Sequence, residues 1–285
     1  LRTCKMLKFA IIIAVIGSSL GGPVEIVPEV PETFVHGGTE APDGAFPWTA
    51  SVRVHNDFFQ GVVINENHIL TAASVVTMGG NAINHFWVRV AAGDRHIIGS
   101  HMNREERTLS HLFIHDLFNH QTGVNNIAVL RLAHPFQFPH NTIEGAVLHN
   151  RIIPVGTNLQ FAGWQIPVGP PAVRLLRSFN LPVITTEACT SPAPNQNIIL
   201  DNQICAGHLA PAPPASVCQG NMGGGVYFNR ELVGILGRGF ACGAVNNPAI
   251  FTEVRFYTTW INQQFTRTDV TPPGTTFPRQ TPQTP

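Results

Sequence analysis

Charge is scarce in this sequence, and neither sign is in excess. Lys and Arg number 17, Asp and Glu number 17, and charged residues make up 12% of the 285. Such a surface carries no bulk field of one sign, which argues against nucleic acid, heparin or an anionic membrane as a partner. Long apolar runs are also missing. The longest, Phe9 to Ile16, falls short of the ~20 residues that a bilayer-spanning helix takes. No later stretch exceeds it, so no stable membrane insertion is expected. No internal repeat recurs at a fixed short period, so a repeat array is not the architecture. Cysteine is sparse too. Of the five, Cys4 precedes Met6, a candidate translation start, which leaves Cys189, Cys205, Cys218 and Cys242. An even number in an exported chain favours disulfides, and spacing alone leaves every pairing of the four open.

The chain does hold many turn formers: 26 glycines and 23 prolines, spread along its length. Met6-Leu7-Lys8, the apolar run and the small residues Gly17 to Gly22 have the order of a signal peptide over residues 1–22, with 1–5 upstream of it. Residues 23–34 are rich in Pro and Glu and read as a propeptide or linker. From there to Val254, short apolar runs alternate with Gly, Pro, Asn and Asp. Trp48–Val54, Gly61–Ile64, Phe86–Ala91, Ile127–Leu132, Asn158–Gly163, Leu232–Leu236 and Ala249–Val254 have the length and spacing of strands in a β-barrel or sandwich. Phe256 to Phe265 places Phe256, Trp260 and Ile261 on one helical face, which predicts a closing helix. Residues 266–285, rich in Thr and Pro, are expected to be a disordered tail with sites for O-glycosylation.

The stretch Cys218-Gln219-Gly220-Asn221-Met222-Gly223-Gly224-Gly225 has the glycine pattern of a tight turn whose amides face an oxyanion. It resembles C-x-G-D-S-G-G-P of the trypsin/chymotrypsin family of serine peptidases. Val35 to Ala41 is similar to that family's mature N-terminus, I-V-G-G-T-E-A, and Phe46-Pro47-Trp48 follows at the usual distance. Ile64 to Val75 resembles the strand ending in T-A-A-H-C. Asn126 to Leu132 resembles D-I-A-L-L-x-L, Phe161 to Trp164 the x-x-G-W segment, and Cys205-Ala206-Gly207 the C-A-G motif. Each match is weak alone. Seven in the family's order, over residues 35–265, imply its all-β fold: two six-stranded barrels, a C-terminal helix, and a site between the barrels.

Carried over residue by residue, the resemblance implies a dismantled site. The general base would be Ser74, the carboxylate that orients it Asn126, and the nucleophile Met222. A serine hydroxyl takes up no proton near neutral pH, an amide has no charge for an imidazolium, and a thioether has no proton to lose. Triad knockouts in this family keep only ~10³–10⁴-fold enhancement over water, from the oxyanion hole and binding. Gly220, Asn221 and Gly223 are the remnant of the oxyanion turn. The family's disulfide at T-A-A-H-C is missing on both sides, with Phe59 and Val75 in place of its cysteines. The remaining four cysteines match two family bridges, Cys189 with Cys205 and Cys218 with Cys242. The first closes a loop of roughly 15 residues, worth about 3 kcal/mol by chain entropy.

Activation and recognition are altered in the same reading. Phe34 precedes Val35, so the activation site lacks a basic residue, and Asn221 replaces the carboxylate that would pair with the new α-amino group. Ser216 and Ala249 occupy specificity-pocket positions, and Gly237-Arg238-Gly239 replaces the S-W-G wall. Of the 13 histidines, His96, His101, His111, His115 and His120 cluster in sequence. His115 matches a structural histidine of the family, and His36 lies in the N-terminal strip. The run Arg104 to Arg107 reads as a solvated loop, too loosely spaced for a calcium site. No metal and no cofactor are expected. The resemblance thus implies a secreted, non-catalytic serine protease homologue with protein partners, active serine proteases or their substrates, in a proteolytic or immune cascade. A peptidase with a reassigned site and a glycan or small-ligand binding module are the alternatives.

Overall fold

In a computed structural model of the chain, residues 36–97, 103–138, 140–164, 175–190, 199–209, 215–238 and 246–267 are described. The leader, the linker, the Phe34–Val35 site, Gly239, Cys242 and the tail lie outside them. The described residues belong to one contact unit, Glu32–Pro285.

Their longer strands fall into two sets of six. The first comprises β1 (Thr49–Val54), β2 (Asp57–Asn65), β3 (His68–Thr71), β4 (Val88–Ala92), β5 (Glu105–Ile114) and β6 (Ala128–Leu132), closed into a barrel in the order β6-β3-β2-β1-β4-β5. Val, Ile and Leu from every wall fill it, among them Val52, Val62, Ile69, Val90, Leu109 and Val129. Phe59 and Val75 join that cluster, so the space of the missing disulfide is apolar packing.

The second set comprises β7 (Asn158–Trp164), β8 (Leu176–Pro182), β9 (Gln203–Ala206), β10 (Gly225–Phe228), β11 (Glu231–Arg238) and β12 (Ala249–Glu253), in the order β9-β12-β11-β10-β7-β8. A single bridge between Val183 and Ala206 brings β8 back to β9, flanked by Gly207 N–H to Pro182 O at 3.0 Å and Ile184 N–H to Cys205 O at 3.0 Å. Phe161 centres this core, against Phe179 and Phe251. Asn229 and Arg230, both at positive φ, turn β10 into β11 as a two-residue hairpin matched to the strand twist. A disulfide links Cys189, in helix α1 (Thr186–Thr190), to Cys205 of β9, with Cα atoms 6.3 Å apart. Cys218 is disulfide-bonded as well.

Three local expectations change. Helix α2 (Thr258–Thr266) buries Ile261 and Gln264, whereas Phe256 precedes it in a 3₁₀ turn and is 46% exposed. The Arg255 guanidinium lies over the Phe256 ring at 3.9 Å. Glu105 to Arg107 is strand rather than loop, because it pairs with Ala92, Ala91 and Val90 while its charges find partners in Arg53, Arg104 and each other. Phe86 and Trp87 leave the strand pattern for a 3₁₀ turn, His85–Trp87, ahead of β4.

The end of α2 is tied to the first barrel by a buried histidine. Arg131 Nη2 donates to Gln264 O at 2.6 Å, and its Nε donates to His68 Nε2 at 3.2 Å. A guanidinium only donates, so His68 Nε2 accepts and its Nδ1 carries the proton that goes to Asn65 Oδ1 at 2.9 Å. Burial, reinforced by Arg131, lowers the His68 pKa to about 4. The unfolded chain therefore binds the extra proton between its ordinary 6.5 and about 4. The contribution is full above pH 6.5 and drains away as pH falls through that window, by about 3 kcal/mol in all. Urea unfolding at stepped pH should show this slope in the native sequence and lose most of it in His68→Gln; equal slopes would refute the neutral-histidine tie.

Candidate functional site: the seam between the barrels

Ser74 lies in the 3₁₀ turn Ala73–Val75 that follows β3, and Asn126 lies two residues before β6. The structure brings these two together. Asn126 Oδ1 accepts from Ser74 N–H at 2.8 Å, and Asn126 Nδ2 donates to Ser74 Oγ at 3.0 Å. The same Nδ2 reaches Gly237 O on β11 at 3.4 Å, and the Asn126 carbonyl accepts from Thr252 Oγ1 of β12 at 3.0 Å. Asn126 is 3% exposed, so one neutral amide joins both barrels in a dry seam. Its donor occupies a lone pair of Ser74 Oγ. An amide donating to that oxygen does not take the hydroxyl proton as a base would.

Asn125 sets the approach. It adopts the left-handed conformation, φ 54°, which Asn tolerates better than most residues. Its Oδ1 accepts from Tyr257 Oη at 2.8 Å and Asn202 Nδ2 at 3.2 Å, and its Nδ2 donates to Leu117 O at 3.0 Å. Burial pushes the Tyr257 pKa up to about 12, so the phenol stays a donor across the physiological range. Asn125 is a positioning residue without a sequence signal of its own beyond adjacency to Asn126.

The glycine turn packs against the first barrel. Gln219–Asn221 forms a 3₁₀ turn. Asn221 is fully buried; its Oδ1 accepts from Cys218 N–H at 3.0 Å and its Nδ2 reaches Trp164 O at 3.5 Å. Gly220 is buried beside it. Met222 is half-buried against the first barrel's core, and its carbonyl accepts from Gln60 N–H at 2.9 Å. Gly223 has φ 83°, and a Cβ there would lie 2.1 Å from Thr71 Oγ1 and 2.2 Å from Gln60 O. At Gly224 a Cβ would lie 2.2 Å from Gln60 Oε1. The Gln60 carboxamide is fully buried, and neither of its polar atoms has a hydrogen-bond partner among the described residues. Its backbone is central to the turn, and no motif drew attention to it.

Recognition elements crowd the same seam. Ser216, Val217 and Ala249 line one small pocket together with Leu181, Gly207 and Asn247. A Cβ on Gly237 would come within 3.1 Å of Asn126 Nδ2. Arg238 crosses from β11 to donate to Thr122 O on the loop that leads to Asn126. Burial lowers its pKa. The side chain therefore bridges the two barrels.

The N-terminal strip is docked by strand pairing and by one arginine. His36 and Gly37 pair with Ser216 and Ala215, and Thr39 and Glu40 pair with Ser178 and Arg177 of β8. Arg177 Nε donates to Gly37 O at 3.0 Å, and its Nη2 donates to Gly38 O. Gly38 has φ 74° and approaches Ser178 O. A charged clamp from the second barrel thus holds the strip by its carbonyls, a role that motif matching missed.

The histidines take structural places. His115 packs against the Tyr257 and Trp260 rings, His111 stacks on Phe113, and His96 Nδ1 contacts Asp94 Oδ1 at 2.9 Å. His120 lies against Gly80, and His101 is outside the described residues. Among the described residues no three His, Cys, Asp or Glu side chains are arranged to hold a metal ion.

Comparison with known proteins agrees with this architecture. The family profile described as Trypsin matches residues 35–261. A trypsin of Phaedon cochleariae is 27% identical over 264 residues, 91% of this chain and 99% of that protein. A trypsin of Sus scrofa is 27% identical over 229 residues, 80% of this chain and 94% of that protein. The serine proteinase stubble of Drosophila melanogaster is also 27% identical, over 81% of this chain and 31% of its own length. With the profile covering the whole double barrel, the chain belongs to the trypsin family.

Proposed function

We propose that the protein is a secreted, non-catalytic trypsin-family homologue that acts by binding other proteins, as cofactor, decoy or regulator in a proteolytic or immune cascade. The observation that carries the reading is the Asn126 amide bonded to both the amide and the hydroxyl of Ser74. Where the resemblance puts a base and its carboxylate, Ser74 and Asn126 form a neutral hydrogen-bonded pair, which supports this reading. Met222, which the resemblance places at the nucleophile position, presents a thioether. Arg238 spans the groove. Its partners in this reading are active serine proteases or their substrates.

Secretion is part of the proposal. The leader-like sequence of residues 1–22, the Cys189–Cys205 disulfide and a described chain without any helix long and apolar enough to cross a membrane support it. The strip bound by Arg177 supports a chain whose barrel seam is ordered whether or not the Phe34–Val35 bond is cut.

Two experiments test the reading. Purified protein should show no stoichiometric labelling by a fluorophosphonate probe and no turnover of ester substrates; either activity would sink the non-catalytic assignment. Met222→Ser alone should restore neither, because triad members act as a unit and loss of one costs about as much as loss of all, on the order of 10⁶-fold. In the second, hydrogen exchange of the His36–Glu40 amides should speed up about tenfold or more in Arg177→Ala, with β1–β6 unchanged. Unchanged exchange at the strip would remove Arg177 as its clamp.

A further inference from the structure

Three arginines share one pocket on the outer face of the first barrel. Along β1 and β4 the paired residues Val52 and Val90 are buried in the core, and their neighbours Arg53 and Arg89 fall on the opposite face. With Arg104 and Glu106 from the start of β5, and with Phe58 and Ile97 as apolar walls, they line a pocket of about 140 Å³. Charge is placed unevenly there. Arg53 and Arg89 are direct cross-strand partners, and like charges in that relation repel. Arg89 Nη1 donates to the Phe86 and Val88 carbonyls at 2.9 and 3.0 Å, which fixes the guanidinium without neutralising it. Arg104 Nη1 donates to His96 O at 3.4 Å, which holds that side chain in the same way.

Among the described residues that line the pocket, Glu106 is the one carboxylate. It divides its oxygens at long range, with Oε1 3.8 Å from Arg53 Nη2 and Oε2 3.7 Å from Arg104 Nη2. One carboxylate therefore faces three guanidinia, and the balance of charge over the whole chain hides this local excess. The donors also set what the pocket prefers. No lysine follows Lys8, so the cations here are planar forks, which meet a carboxylate with two parallel bonds. The apolar walls lower the local dielectric and strengthen such a pair. They also give the methylenes of an acidic side chain a surface to cover, which an inorganic anion does not use.

We propose that the pocket of Arg53, Arg89 and Arg104 binds a glutamate or aspartate carboxylate from an acidic segment of a protein partner. Arg89 and Arg104, fixed by main-chain carbonyls, are the anchors, and Glu106 is an internal competitor for Arg53 and Arg104. The site rests on the protein-binding function proposed above and gives the partner a chemistry.

The test titrates the full chain against fluorescein-labelled hexaglutamate, with hexaglutamine as the neutral control, and reads fluorescence anisotropy. Arg89→Gln and Arg104→Gln should each weaken binding about tenfold, the loss of one charge-assisted bond. Arg89→Lys keeps the charge without the fork and should recover only part of that loss. Glu106→Gln should tighten binding about threefold by removing the competitor, and this gain carries the test if an arginine variant fails to fold. Arg151→Gln, an exposed arginine elsewhere, should leave the affinity unchanged. Equal affinity in the native chain, Arg89→Gln and Arg104→Gln overturns the proposal. Equal weakening in Arg151→Gln reduces the effect to net charge and overturns it too. Binding of a heparin hexasaccharide through the same arginines, without hexaglutamate, assigns the pocket to a sulfated glycan, and displacement by an equal concentration of sulfate assigns it to a free ion; either result overturns it. A chain inert to the fluorophosphonate probe and indifferent to hexaglutamate keeps the non-catalytic reading and loses only this site.

Discussion

The seam between the barrels depends on one buried amide. Asn126 offers an acceptor to the Ser74 backbone and donors to Ser74 Oγ and Gly237 O, while its own carbonyl takes the Thr252 hydroxyl. Every one of these bonds suits a neutral group. A carboxylate at this position would keep the first bond and lose the donors, and it would do so 3% exposed with no imidazolium opposite. An uncompensated buried charge is strongly destabilising, by roughly 3–5 kcal/mol when a pair loses one partner. Once residue 74 is a serine, asparagine is the residue that fits the seam. The two positions therefore constrain each other through desolvation, and the chemistry of one cannot be judged without the other.

The glycine turn obeys a different constraint, which is steric. Gly223 and Gly224 approach Thr71 and Gln60 so closely that a methyl group has no place at either. Gly223 N–H bonds Leu236 O, Leu236 N–H bonds Gly224 O, and Met222 O takes Gln60 N–H, so the turn is stitched to both barrels by its backbone. Asn221 closes the turn on itself by capping Cys218 N–H. These contacts require glycine and a small buried amide. They do not require a nucleophile, which is why the turn's geometry and the identity of residue 222 are independent features of the sequence.

Much of the fold was legible because strand length and turn chemistry are local. Runs such as Asn158–Gly163 and Ala249–Val254 fall on β7 and β12 within a residue, and the ordered motifs place both barrels. Ser74 and Asn126 were legible as a pair because two motifs 52 residues apart converge in the family's topology. The failures are tertiary. Phe256 fitted a helical face by spacing, yet the helix starts after it and Arg255 covers its ring. Glu105 to Arg107 looked like a loop because its charges alternate, yet neighbouring strands supply the counter-charges. Arg177, Asn125 and Gln60 act through backbone carbonyls or buried contacts with distant segments, which leave no pattern in a single chain.

The way the N-terminal strip is held changes what can regulate this scaffold. In an ion-pair switch, a cut creates a charge and the charge orders the seam. Here the acceptors are the carbonyls of Gly37 and Gly38 and the donor is a side chain, Arg177, present from synthesis. At the other end, Asn221 already has its polar atoms committed within the turn and to Trp164. Asn221 is an amide, so an amine near residue 35 would gain no ion pair with it. Arg238 acts in the same direction from the opposite side, since its bond to Thr122 O ties the groove walls together. Order in this seam is thus built into uncharged or permanently charged groups.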